Sequence, residues 1–185
     1  DVAGLQSIIA TTPTSGTVGA INRANFSFWR NQQTSGAKTS TAFDNLVSTM
    51  RSIYNLCSAG GVKMAPTSAI TDRTVFEGYE GRLTATERYT YDTQKGGGRK
   101  GDTGFLNDAL RFKTIPVFYD EAAAAGNMYF LNPKWLKFVY LAGGWMKMYP
   151  AVDPANQLAN VHKLTTFGNM GTNNSRRLGV VTAIT

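Results

Sequence analysis

One cysteine and one histidine are all that 185 residues hold of the two softest ligand types. A single cysteine excludes a disulfide within the chain, and the pair leaves too few ligands for a structural zinc site. No stretch approaches the roughly 18 uninterrupted apolar residues that a membrane-spanning helix needs. The N-terminus also lacks a basic segment followed by an apolar one, so it does not read as a signal peptide. A soluble chain that contacts no membrane is expected. It begins at Asp1 without an initiator methionine, as a processed product or the ordered part of something longer does.

Charge is sparse as well, at 17% of residues, whereas hydrophobic residues make up 42% and Phe, Tyr and Trp number 10, 8 and 3. Left unfolded, such a chain would hold too much apolar surface in water, so it folds. Lys and Arg number 19 against 12 Asp and Glu, a net +7. The excess is unevenly placed. Residues 1–63 carry +3, residues 64–127 carry −1 and residues 128–185 carry +5. Both ends are thus basic, which predicts that they meet on a surface facing something anionic, nucleic acid being the usual candidate. A surplus of this size also serves solubility alone.

The pattern along the chain predicts an α+β fold. Residues 4–37 are rich in Thr, Gly, Ser and Asn and read as extended chain and turns. The aromatic cluster Phe26, Phe28 and Trp29 reads as a strand buried on both faces or lodged at an interface. Phe43, Leu46, Val47, Met50, Ile53, Tyr54 and Cys57 recur at spacings of three and four, predicting an amphipathic helix over about 41–59, some 28 Å long. Thr41 and Asp44 resemble a capping box and Gly60-Gly61 supplies the stop. Cys57 lies on the apolar stripe, which predicts burial rather than reactivity. A strand follows at 67–71, then a short helix capped by Asp72 and presenting Val75, Phe76 and Tyr79. From Leu110 onward strands are expected at 110–113, 115–119, 128–131, 145–149, 161–167 and 178–184. Pro116 marks a strand start or an edge, and Gly168-Asn169 and 173–175 read as separators.

Chemistry has little to stand on. The glycine-rich basic loop within 86–104, with Lys95, Arg99 and Lys100, lacks the Lys-Ser or Lys-Thr that phosphate-cradling loops place after their last glycine. His162 has no motif around it, and Asp120 and Glu121, as strand neighbours, would point apart. No catalytic, cofactor-binding or metal-binding residue is assigned, no cofactor is expected, and the chain does not read as an enzyme.

Several segments taken in order carry a family resemblance. They are residues 19–23 leading to 28–31, the helix built on Phe43-Asp44-Asn45-Leu46, Phe112 to Val117 followed by Met128 to Asn132, and Asn169-Met170 leading to Ser175-Arg176-Arg177-Leu178-Gly179. Together they resemble the major capsid proteins of tailed bacteriophages with the Hong Kong 97-like fold. The resemblance implies a capsid subunit with mixed and antiparallel sheets in two lobes. Residues 1–61 would belong to a peripheral domain with its long spine helix, 62–158 to an axial domain, and 159–185 to strands returning to the peripheral domain. It implies partners in other copies of the chain, in packaged double-stranded DNA held without sequence preference, and in portal, scaffold or decoration proteins. It places the protein in a virion capsid assembled in the host bacterial cytoplasm.

About forty residues precede the helix, so the family's N-terminal arm and much of its extended loop are expected to be absent. A monomer or small capsomer-like oligomer is therefore the expected state. Candidates for an interface or DNA-facing role are Arg23, Trp29, Arg30, Lys95, Arg99, Lys100, Arg176 and Arg177. The reading from another class is a sequence-independent nucleic-acid-binding module, motivated by the charge and the aromatics at 26–29.

Overall fold

A computed structural model of the chain describes residues 4–35, 45–86, 110–113, 115–152, 155–156 and 159–184. Its elements run α1 (Leu5–Ile8), β1 (Thr17–Val18), β2 (Ile21–Asn22), β3 (Gln32–Ser35), α2 (Leu46–Cys57) and β4 (Ser68–Thr71). They continue with α3 (Arg73–Thr86), β5 (Leu110–Phe112), β6 (Ile115–Tyr119), β7 (Met128–Leu131) and β8 (Leu136–Tyr140). The last are β9 (Lys147–Met148), β10 (Leu164–Thr165), β11 (Gly168–Thr172) and β12 (Gly179–Thr182).

A six-stranded mixed sheet in the order β3-β12-β7-β4-β6-β5 organises the body. It takes strands from all three segments, 1–61, 62–158 and 159–185. The chain's two ends meet where β3 and β12 pair in parallel, from Gly179 opposite Gln32 to Thr182 opposite Ser35. Four consecutive buried residues make β7 the centre of the core, since alternate side chains of a strand face opposite ways. Met128 and Phe130 join the side covered by α2 and α3, while Tyr129 and Leu131 join Ile8, Ile9, Leu178 and Val180 on the other. Burying a side chain of this size stabilises the fold by about 1.5–3 kcal/mol.

The amphipathic helix forms as its spacing predicts: Leu46, Met50, Ile53 and Cys57 are buried against the sheet. Its described length is 12 residues, about 18 Å at the usual rise. The predicted cap at Thr41 and Asp44 lies outside the described residues. At its other end the helix stops at Cys57, two residues before the expected bound, and Gly60 and Gly61 follow with φ of 113° and 122°. A side chain at either would be strained there. Burial pushes the Cys57 thiol up to about 12, although Arg177 pulls it down slightly, so the group stays an uncharged packing element.

Other expectations need correction. Residues 27–29 form one turn of 3₁₀-helix rather than a strand, and Phe26 and Phe28 lie exposed, ring against ring at 5.7 Å. The chain turns there because Arg30 reaches back to the carbonyls of Arg23 and Ala24, at 2.8 and 2.9 Å. Of the two places expected for Pro116 it takes the strand start, as the second residue of β6, which lies between β4 and β5 and not at an edge. The pairing with β4 begins one residue later, at Val117 opposite Ala69, so proline's missing N–H costs no ladder bond on that side. The strands expected at 145–149 and 161–167 shrink to the two-residue β9 and β10. Gly168 does not separate strands but opens β11, which pairs with β8 along its whole length.

Candidate functional site

Between β7 and β12 the chain leaves the sheet and returns as a long two-stranded ribbon. Its pairs run from Leu136 opposite Thr172 to Tyr140 opposite Gly168, continue through Lys147 opposite Thr165 and Met148 opposite Leu164, and end at Val152 opposite Val161. Twelve residues lie on the shorter side, from Val161 to Thr172, or about 40 Å of extended chain. The register slips by one residue between Met148 and Val152, and by four between Tyr140 and Lys147. Leu141 donates to the carbonyl of Phe167, Phe167 donates to that of Gly144, and the extra residues bulge between them. Gly143 and Met146 take φ of 73° and 47° in this bulge.

Pairing sorts the side chains into faces, because residues opposite one another share a face. In the inner half Leu136, Phe138 and Tyr140 stand on one side, opposite Thr172, Met170 and Gly168. Trp145 folds over them, with its ring centroid 5.4 Å from those of both Phe138 and Tyr140. Gly168 makes room for this: a Cβ there would stand 2.6 Å from the Phe138 ring. In the outer half Lys147, Tyr149, Lys163 and Thr165 share one face and Met148 and Leu164 the other. The Lys147 ammonium lies 5.1 Å from the centre of the Tyr149 ring.

The base of the ribbon is half-buried, with Leu136 and Met170 packed against the cluster of Ile8, Ile9 and Leu178, and much of the remainder is in water. Phe138, Val139, Tyr140, Leu141, Trp145 and Met148 are exposed, Met148 by 68%. Isolated apolar residues on a surface are ordinary, but a contiguous band of them marks an interaction site. A lone two-stranded ribbon is also at best marginally stable.

The residues singled out from the sequence lie elsewhere. Arg23 is 1% exposed, and its guanidinium donates to the carbonyl of Ile8, tying α1 to the turn that follows β2. Burial lowers its pKa, and its Nε has no partner among the described residues. Trp29 is half-buried and donates from Nε1 to the carbonyl of Val18 at 3.0 Å. Arg177 donates from Nη1 to the carbonyls of Cys57 and Ala59, satisfying the open end of α2, where cations are favoured. Gly60 faces the same guanidinium, and a Cβ there would come within 2.9 Å of it. With Arg30 already committed to backbone carbonyls, Arg176 is the exposed member of the described candidates. Lys95, Arg99 and Lys100 lie outside the described residues.

Sequence reasoning missed Asn31 altogether. Its buried amide takes a bond from Ala10 N at 3.1 Å and gives one to Ala10 O at 2.9 Å, pairing the N-terminal segment to the chain leading into β3. Nothing distinguishes this asparagine from its neighbours in the sequence. The ribbon had a signal that was legible but diluted, an unusual run of aromatics and methionines between Trp135 and Tyr149.

A cleft of about 380 Å³ opens on the opposite side of the body, lined by Arg73, Phe76, Glu77, Glu80, Tyr119 and Glu121. Arg73 Nε and Glu77 Oε1 pair across one helical turn at 2.7 Å, both well exposed. Among the described residues no helix is long and apolar enough to cross a membrane.

No protein-family model matches the chain, and no curated protein matches it. A solved structure does. It is the capsid asymmetric unit of cyanophage A-1(L), with a TM-score of 0.60 and 15% identity over 99% of this chain. The match covers 60% of the cyanophage chain, so this chain spans about three-fifths of that neighbour's length. The likeness establishes an α+β fold of phage-capsid type.

Proposed function

We propose that this chain is a structural subunit of an icosahedral bacteriophage capsid, associating with copies of itself into capsomers that enclose packaged double-stranded DNA. The observation that carries the reading is the ribbon: about 40 Å of paired chain, apolar and exposed, on a fold shared with a phage capsid protein. A coat subunit needs large surfaces and shape, and it needs no catalytic constellation. In this reading the fold is Hong Kong 97-like, with α2 as part of its spine helix. The mature protein resides in the virion after assembly in the host cytoplasm. Arg176 and the basic residues of the 86–104 segment would face DNA, held through phosphates without sequence readout.

The reading is tested by the association state of the purified chain across a concentration series, followed by sedimentation velocity. Reversible growth from monomer to capsomer-sized oligomers is the expected result. A sharp monomer at every concentration contradicts it. Double-stranded DNA added in a salt series separates the nucleic-acid module from the coat subunit. Tight binding by a chain that stays monomeric, weakening steeply with salt, is the module's signature.

A further inference from the structure

The ribbon's charge says where it docks. From Lys134 to Thr172 the chain carries four lysines, Lys134, Lys137, Lys147 and Lys163, against the single acid Asp153. Two ribbons laid together would bring like charges face to face, which disfavours a symmetric ribbon-to-ribbon contact. The complementary surface is on the body. Three carboxylates, Glu77, Glu80 and Glu121, and one guanidinium, Arg73, surround the cleft between α3 and the end of β6. Its walls are aromatic: the Phe76 and Tyr119 rings lie 5.2 Å apart, and Tyr119 is exposed. Acidic rim and aromatic wall thus match the ribbon face that carries Lys147, Lys163 and the Tyr149 ring.

Sheet topology sets the two surfaces apart. The ribbon departs beyond Leu131, which pairs with Ser68 at the start of β4. The cleft lies beyond Thr71 and Tyr119, which pair at the other end of the same strands. A subunit therefore presents its ribbon at one end of the sheet and its cleft at the opposite end. This is the arrangement of a head-to-tail contact, which closes into rings when the rotation between copies permits.

We infer that the outer half of the ribbon of one copy seats on the α3–β6 cleft of the next, with Lys147 and Lys163 against the carboxylates and Tyr149, which shares their face, against the aromatic wall. The inference rests on the coat-subunit reading and adds to it the contact that joins neighbouring subunits.

The test uses the whole chain in two charge-reversed forms, Lys147→Glu with Lys163→Glu, and Glu77→Lys with Glu121→Lys. All four positions are on the surface, and thermal melting checks that both forms fold. Each form alone is expected to need about tenfold or more protein to associate, because like charges now meet at the contact. An equimolar mixture should recover, since each reversed ribbon then finds a reversed cleft and each native ribbon a native cleft. As a second readout, copies carrying Tyr149→Cys are mixed with copies carrying Glu121→Cys and treated with a short bismaleimide. Native Cys57 is buried, so the introduced thiols react, and a heterodimeric cross-link is expected.

Wild-type association that the cleft reversal leaves unchanged, with cross-links confined to pairs of Tyr149→Cys copies, overturns the docking site while leaving the coat-subunit reading intact. Failure of the wild-type chain to associate at all overturns both.

Discussion

Ile53→Asp is expected to abolish cooperative unfolding, leaving a chain without a thermal transition by circular dichroism. Ile53 is fully buried on the inner face of α2, and the cluster around it consists of Leu46, Met50, Cys57, Phe130, Val181 and other apolar side chains. A carboxylate there must either ionise without a partner or hold a proton, and both routes cost several kcal/mol. The leucine-sized contacts of the isoleucine are lost besides. Domains have only about 5–15 kcal/mol of stability in all. Met50→Asp, one turn earlier and equally buried, should behave alike. The control is Ser52→Asp beside it on the exposed face, expected to stay within about 0.5 kcal/mol of wild type. A normal melt for Ile53→Asp would mean that α2 does not pack as described.

The second large effect comes from adding atoms rather than charge. Gly179 opens β12 directly beneath α2, and a Cβ built on it would stand 2.7 Å from Cys57 Sγ and 2.8 Å from Ile53 Cγ1. Both neighbours are buried and belong to a helix held against the sheet, so neither can turn aside into solvent. Gly179→Ala is expected to cost about 1–3 kcal/mol as the helix is pushed outward, and Gly179→Val more. In a chain of this size each kcal/mol lowers the melting temperature by roughly 2–4 °C. Cys57→Ala removes one of the two clashing atoms, so the double variant Cys57→Ala with Gly179→Ala should be less destabilised than the separate effects sum to. Strict additivity would show that the glycine is not there for close approach. Because the clash lies between α2 and β12, this pair also reports whether the C-terminal strand docks under the helix at all.

Periodicity explains what could be read beforehand. The stripe from Leu46 to Cys57 repeats at three and four because one face of a helix meets the core, and β6, β7 and β12 were visible as runs of branched and aromatic residues bounded by turns. β4 and β5 also form where strands are expected, at 67–71 and 110–113, whereas β3 and β11 are made by their partners. Gln32–Ser35 is polar, with no alternation, and becomes β3 because β12 offers an unpaired edge. Gly168–Thr172 holds two glycines and reads as a break, yet five residues of β8 pair with it. The arginines show the same limit. A basic residue in a polar stretch reads as a surface charge, but Arg23 and Arg177 are spent on backbone carbonyls that helices and turns leave open, and only the fold reveals those carbonyls. The aromatic cluster at 26–29 reads as a strand buried on both faces or lodged at an interface, whereas the larger exposed apolar surface lies more than a hundred residues further on, in the ribbon.

The ribbon is therefore the feature on which the coat-subunit account stands, and its exposed apolar side chains can be replaced without touching the core. Phe138, Trp145 and Met148 are exposed, and none belongs to either buried cluster. The direct measurement is sedimentation velocity of wild type beside a variant carrying Phe138→Ser, Trp145→Ser and Met148→Ser, over the same concentrations, with melting curves of both. The account predicts wild-type oligomers, a monomeric variant and melting of the sheet body within a few degrees of wild type. A variant that associates as readily as wild type would contradict it.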